Sequence, residues 1–128
     1  MAVRVVRLGS VREAGEGLRI GTVRRPPRGV PKAEFAARNF YDVWLPDLAP
    51  SDELVKFAQG AADERQWQAF ARRYRAEMGK PDKVRLLELL AALSRQTDFS
   101  VGCYCEDEHR CHRSVLQQLL AAHGARMA

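Results

Sequence analysis

Nowhere does the chain hold the roughly 18 consecutive apolar residues that would span a bilayer. Its start, "MAVRVVRLGS", alternates valine with arginine and lacks the apolar core of a signal peptide. Cysteine is scarce and odd in number: three residues packed into nine positions, which excludes a secreted disulfide framework. A reducing cytoplasm is therefore the expected location. The sequence also lacks internal repeats, low-complexity tracts and a glycine-rich phosphate loop. Aromatic residues are few, at 8%, and do not interleave with the arginines as a single-strand stacking platform requires.

What remains is the composition of an ordinary globular protein, 46% apolar and 29% charged over 128 residues. That length suits a single domain over residues 1–128 with one core. The net charge of +5 is unevenly placed. Residues 1–38 carry nine Lys or Arg against three Glu, whereas the remainder carries twelve against thirteen acidic groups. An anionic partner follows from this asymmetry: a phosphate-bearing small molecule, a nucleotide or nucleic acid. No membrane partner is expected, and the sequence leaves oligomeric state open.

The alternation of "AVRVVRL" (2–8) predicts a strand, and "LRIGTVR" (18–24) a second. "RPPRGVP" must be a loop, because its three prolines deny a ladder its donors, and "PKAEFAARNF" then reads as a short helix. "YDVWLPDLAP" reads as extended surface chain pinned by Trp44 and Leu48. Ser51 caps a helix that Gly60 ends. Asp63 and Gln66 have capping-box spacing, and behind them Trp67, Phe70, Ala71, Tyr74 and Met78 form an apolar stripe read as core. "DKVRLLELLAALSRQ" is apolar around more than half its circumference and is expected to be well buried. "FSVGCYC" (99–105) predicts a third strand with Phe99, Val101, Cys103 and Cys105 on one face. A last helix is expected from about 111 to 123, with His123 structural and Gly124 as its stop signal.

Strands separated by helices predict an α/β fold, a small three-layer sandwich with a short, mainly parallel sheet and helices packed on it. Ligands of such sheets bind beyond the strands' carboxyl ends. "CYCEDEHRCHRSVLQQLL" falls there, and it holds every cysteine and two of the three histidines.

Three readings of Cys103, Cys105, His109, Cys111 and His112 stand open. As a metal site they supply enough N and S donors for zinc. The C-x-C pair on a strand, with Cα atoms about 6.6 Å apart, is nevertheless poor for tetrahedral closure, so no metal and no cofactor is expected. As a nucleophile site, Cys105 or Cys111 would be the reactive thiol and His112 its base or donor. Arg25, Arg28 and Arg113 would clamp an anion, with Ser114 beside them at a helix start. The C-x5-R spacing of thiol phosphatases is absent. As plain structure, the cysteines would be small buried hydrophobes and Glu106-Asp107-Glu108 would offset the cations.

The motif Cys105-Glu106, Cys111-His112-Arg113-Ser114 and Leu116 resembles the C-terminal signature of domain-of-unknown-function family 488. "RPPRGVPKAEF", "DVWLPDLAPSDEL" and "FARRYRAEM" resemble further segments of that family, so the likeness spans most of residues 20–120. The Asp and Trp of the family's Asp-Arg-Leu-Trp-Pro-Arg-Gly run are missing here. The resemblance implies a cytoplasmic three-layer α/β fold and supports the position of the site, but it supplies no substrate. The leading expectation is an enzyme-like pocket for an anionic ligand. The alternatives are a non-catalytic nucleic-acid-binding module using the basic first third, and a structural zinc site.

Overall fold

A computed structural model describes residues 1–107 and 110–128. Four strands, β1 (Val3–Arg7), β2 (Leu18–Gly21), β3 (Val43–Trp44) and β4 (Phe99–Cys103), form one sheet in the order β1-β4-β2-β3, parallel throughout. Helices α1 (Asp52–Gln59), α2 (Glu64–Met78) and α3 (Pro81–Leu93) lie between β3 and β4, and α4 (His112–Ala122) follows β4. The sheet and helices make the small α/β sandwich expected from the sequence. β4 is central and all five of its residues are buried, as parallel strands covered on both faces must be.

One apolar cluster joins Val3, Ile20, Phe99 and Val101 of the sheet to residues of all four helices. The helices therefore share one side. The opposite face carries Arg19 and Ser100, which pair across β2 and β4 and are both fully buried. Loops 8–17 and 31–42 cover this face, so its layer is built from turns and a short 3-10 segment, Lys32–Glu34. Glu16 reaches in from the first loop and takes Arg19 Nε at 2.7 Å and Nη2 at 3.0 Å. Arg19 Nη1 donates to the carbonyls of Ser10 and Asn39, and Asp42 accepts from the Arg19 amide and from Arg12. One buried guanidinium thus fastens both loops to the sheet.

The close packing beneath them depends on glycine. A Cβ on Gly102 would stand 2.5 Å from the Val6 carbonyl oxygen, between two strands that cannot separate without losing their ladder. Gly102→Ala is expected to destabilise the fold by about 1–3 kcal/mol through overpacking. Chemical denaturation checks this, and an unchanged midpoint would show that β1 can yield.

Several local expectations need correction. Residues 43–44 are an edge strand, and the sheet therefore has four strands. Such a short run carries no periodicity to read. The helix expected over 31–40 is only the 3-10 segment. β2 stops at Gly21, three residues short, and β4 stops at Cys103, so Cys105 lies beyond it and is exposed. α3 is less buried than its composition suggests: Leu89 and Leu93 are 54% and 39% exposed. The caps match expectation better. Ser51 Oγ accepts from Leu54 N, and Asp63 accepts from Gln66 N, although Gln66 returns its side-chain oxygen to Ala62 N.

Candidate active site

The strands β2 and β4 end side by side, and the chain leaving each one builds the wall of a cavity of about 670 Å³. Thr22 is the first residue beyond β2. Its amide and hydroxyl both donate to the Gly102 carbonyl at 3.0 Å, which keeps the β2 exit against β4. Its own carbonyl accepts from His112 Nε2 at 2.7 Å. Only a protonated Nε2 can make that bond, so the neutral ring carries its lone pair on Nδ1. Nδ1 faces Cys111 Sγ at 3.8 Å. Burial of the ring pushes the His112 pKa down to about 4, so the imidazole is uncharged at neutral pH and presents Nδ1 as a hydrogen-bond acceptor.

Cys103 ends β4, and the chain turns through Tyr104 so that the Cys105 amide donates back to Cys103 Sγ at 3.4 Å. Cys111, at the N-cap of α4, completes the group. Cys103 and Cys111 are each 2% exposed, while Cys105 is open to solvent. The neighbouring Cys103 and Cys111 thiols, with His112 and Arg113, hold the Cys105 pKa well below the ordinary thiol value against the upward pull of burial. Cys103 and Cys111 are pushed the other way. The group lies beside the N-terminus of α4, where the helix dipole favours negative charge.

Arg113 sits behind this group rather than on the cavity wall. It is 3% exposed, Nη2 donates to the Cys105 carbonyl at 2.7 Å, and Nε has no hydrogen-bond partner. Among the described residues no carboxylate pairs with this buried guanidinium, which favours an anion near by. Glu106 does not supply one: it points outward to Arg7 at 3.5 Å and is 85% exposed. Glu108 and His109, both weighed from the sequence, lie outside the described residues.

The cavity brings together Cys105, Cys111, His112, Arg25 and Arg28. Arg25 pairs with Asp52 at the exposed rim, and Arg28 is exposed and has no partner among the described residues. Ser114 is turned away, donating to the Cys111 carbonyl at 3.0 Å within the first turn of α4. Five contributors were missed in the sequence. Trp67 and Phe70, read as core, stack at 4.9 Å and line the cavity, as do Phe40 and Tyr104. Helical period alone cannot tell a residue under the sheet from one on a cavity wall. Arg24 also lines it, donating to the Pro50 carbonyl at 3.0 Å and so tying the β2 exit to the start of α1.

Donor atoms of Cys103, Cys111 and His112 lie within 4.8 Å of one another, close enough for a single soft ion. His112 would present Nδ1, with Nε2 already oriented by Thr22, as metal-binding histidines require of their second nitrogen.

No curated protein and no solved structure matches the chain. A family model does, over residues 3–124: DUF488-N3a, described as the active DUF488-N3 subclade. The sequence motifs, the parallel sheet and the Cys-His-Arg helix start thus fall within one match covering nearly the whole chain, and the protein belongs to the DUF488 family.

Proposed function

We propose that the protein is an enzyme whose reactive group is the Cys105 thiolate. Its ligand combines a flat apolar body with an anionic group, as a nucleotide or a nucleic-acid fragment does. The observation that carries this reading is the convergence of three thiols and a neutral histidine at the base of a cavity walled by aromatic rings and rimmed by arginine. Trp67 and Phe40 suit the flat body, and Arg25 and Arg28 suit the anion. Cys105 is the group placed to act as nucleophile toward the ligand, while His112 accepts a hydrogen bond from the Cys111 thiol at Nδ1. Arg113 favours the thiolate from behind. The word "active" in the family description supports a catalytic reading.

The nucleic-acid-binding module has less support. Arg4, Arg7, Arg12, Arg19 and Arg25 of the basic first third are each ion-paired within the chain, which leaves few free cations to neutralise a phosphate backbone.

The test is protection. Nucleoside monophosphates are expected to slow alkylation of Cys105, neutral nucleosides to do so less, and the Arg25→Ala/Arg28→Ala pair to weaken protection at least about tenfold, or about 1.4 kcal/mol. Both side chains are exposed, so stability should barely change. Absence of protection by any nucleotide would sink the pocket. No stoichiometric zinc is expected in the purified chain; one equivalent whose removal unfolds the protein would make the cysteines structural instead.

A further inference from the structure

We propose that Cys103, Cys111 and His112 form a three-coordinate site for a soft monovalent cation of the copper(I) class. Cys105 stands outside the set, so the site does not depend on a nucleophile at that position. The two sulfurs and a ring nitrogen lie within 4.8 Å of one another, and all three residues are buried. The spacing suits a trigonal ion. Bonds of about 2.3 Å to sulfur and about 2.0 Å to nitrogen, opened to about 120°, set those two atoms about 3.7 Å apart. Cys111 Sγ and His112 Nδ1 are 3.8 Å apart.

Each donor is held in place by a neighbour, as metal ligands commonly are. His112 Nε2 donates to the Thr22 carbonyl at 2.7 Å, which leaves Nδ1 to the ion. Thr22 is itself fixed, because its amide and hydroxyl both donate to the Gly102 carbonyl. The Cys105 amide donates to Cys103 Sγ at 3.4 Å. Cys111 is the N-cap of α4, where the helix dipole favours a thiolate.

Charge decides which ion suits the site. Binding releases both thiol protons, so the ligands bring two negative charges into a buried place. A monovalent ion cancels one of them. Arg113 balances the other: it follows His112 directly, is 3% exposed, and has no carboxylate against it among the described residues. Two thiolates, one monovalent ion and one guanidinium together carry no net charge, the state that costs least to bury. Cys105, open to solvent, lies outside that balance. A divalent ion would leave one positive charge in excess, and zinc would also require a fourth ligand. Thiolate softness favours copper(I) as well.

The experiment titrates the reduced full-length protein with copper(I), kept in acetonitrile under nitrogen, against the coloured chelator bicinchoninate. The wild type and Cys105→Ser are each expected to take one equivalent from the chelator. Cys103→Ser and Cys111→Ser should bind at least about a hundredfold more weakly, because loss of an outer-shell partner alone costs about ten- to a hundredfold. X-ray absorption on the copper-loaded wild type requires no variant to fold, and it should count two sulfurs and one nitrogen around the ion. No copper retained, three sulfurs at the ion, loss of binding in Cys105→Ser, or displacement of copper by equimolar zinc would each overturn the proposal. Alkylation of the metal-free protein tests the ligand reading separately. Nucleotide protection without copper binding removes only the metal site, and copper binding without protection removes only the ligand reading.

Discussion

Glu16→Ala is expected to cost about 3–5 kcal/mol of folding stability, because it strands a buried charge. Arg19 is 0% exposed and Glu16 3% exposed. With the carboxylate gone, Arg19 keeps only the Ser10 and Asn39 carbonyls, neither of which carries charge. The carboxylate also accepts from Ser100 Oγ and from the Glu13 amide, so four donors lose their acceptor together. Urea unfolding measures the loss, and a change below about 1 kcal/mol would show that water or a neighbouring carboxylate replaces Glu16.

The same group sets an acid limit. Burial alone would raise the Glu16 pKa, yet Arg19, the Glu13 amide and Ser100 overcome it and hold the value at about 2, down from 4.5. A depressed folded-state value means that the contribution is complete above pH 4.5 and drains away as pH falls toward 2. The amount is about 3 kcal/mol by linkage. Asp42, also lowered against its burial by Arg12 and Arg19, adds to the loss in the same direction. Glu16→Gln should remove most of this acid dependence along with the stability itself.

The second large effect concerns rate. Alkylation of Cys105 is expected to hold near its plateau as pH falls from 9 to 6. A free thiol, with a pKa of about 8.5, slows roughly tenfold per unit below that value. Arg113→Leu removes the buried cation behind the Cys105 carbonyl and should move the midpoint of the profile upward, by less than loss of the two neighbouring thiols would. Arg126→Ala, in the C-terminal tail, is the control and should leave the profile unchanged. Iodoacetamide kinetics on Cys103→Ala/Cys111→Ala variants would blur the answer, because those thiols are the neighbours that stabilise the thiolate. Peptide-level mass spectrometry on the intact trio is the better measurement. If Cys105 titrates at or above the free-thiol value, it is not a nucleophile.

The features legible in the sequence are those whose causes are local. Ser51 and Asp63 announce their helices because a cap acts within three residues, and the unit from Phe99 to Ala122 shows itself by alternation followed by helical period. The candidate site could be located for the same reason, since a strand–turn–helix exit is a local event. What could not be read depends on distant chain. Whether Cys103 and Cys111 would meet hinges on the turn at Tyr104, which in turn is held by a hydrogen bond from its hydroxyl to the Arg25 carbonyl. Thr22 gains its role only because β2 lies against β4, 80 residues away. Arg19 looked like one more basic residue of a charged strand. Its burial arises from loops folding back over that face, which no periodicity records.

The strand order also dictates when the protein can fold. β4 lies between β1 and β2, so β1 has no partner strand, and β2 only the two-residue β3, until the chain has been made as far as Cys103. For most of synthesis two apolar strands and three amphipathic helices must wait beside the ribosome without a sheet to cover, and the first to emerge wait longest. Contacts of such sequence separation make for slow assembly and expose unpaired edges meanwhile. Arg4 and Arg7 of β1 then have a role besides seeking anions: charge on a strand that waits unpaired opposes pairing between nascent chains before β4 arrives.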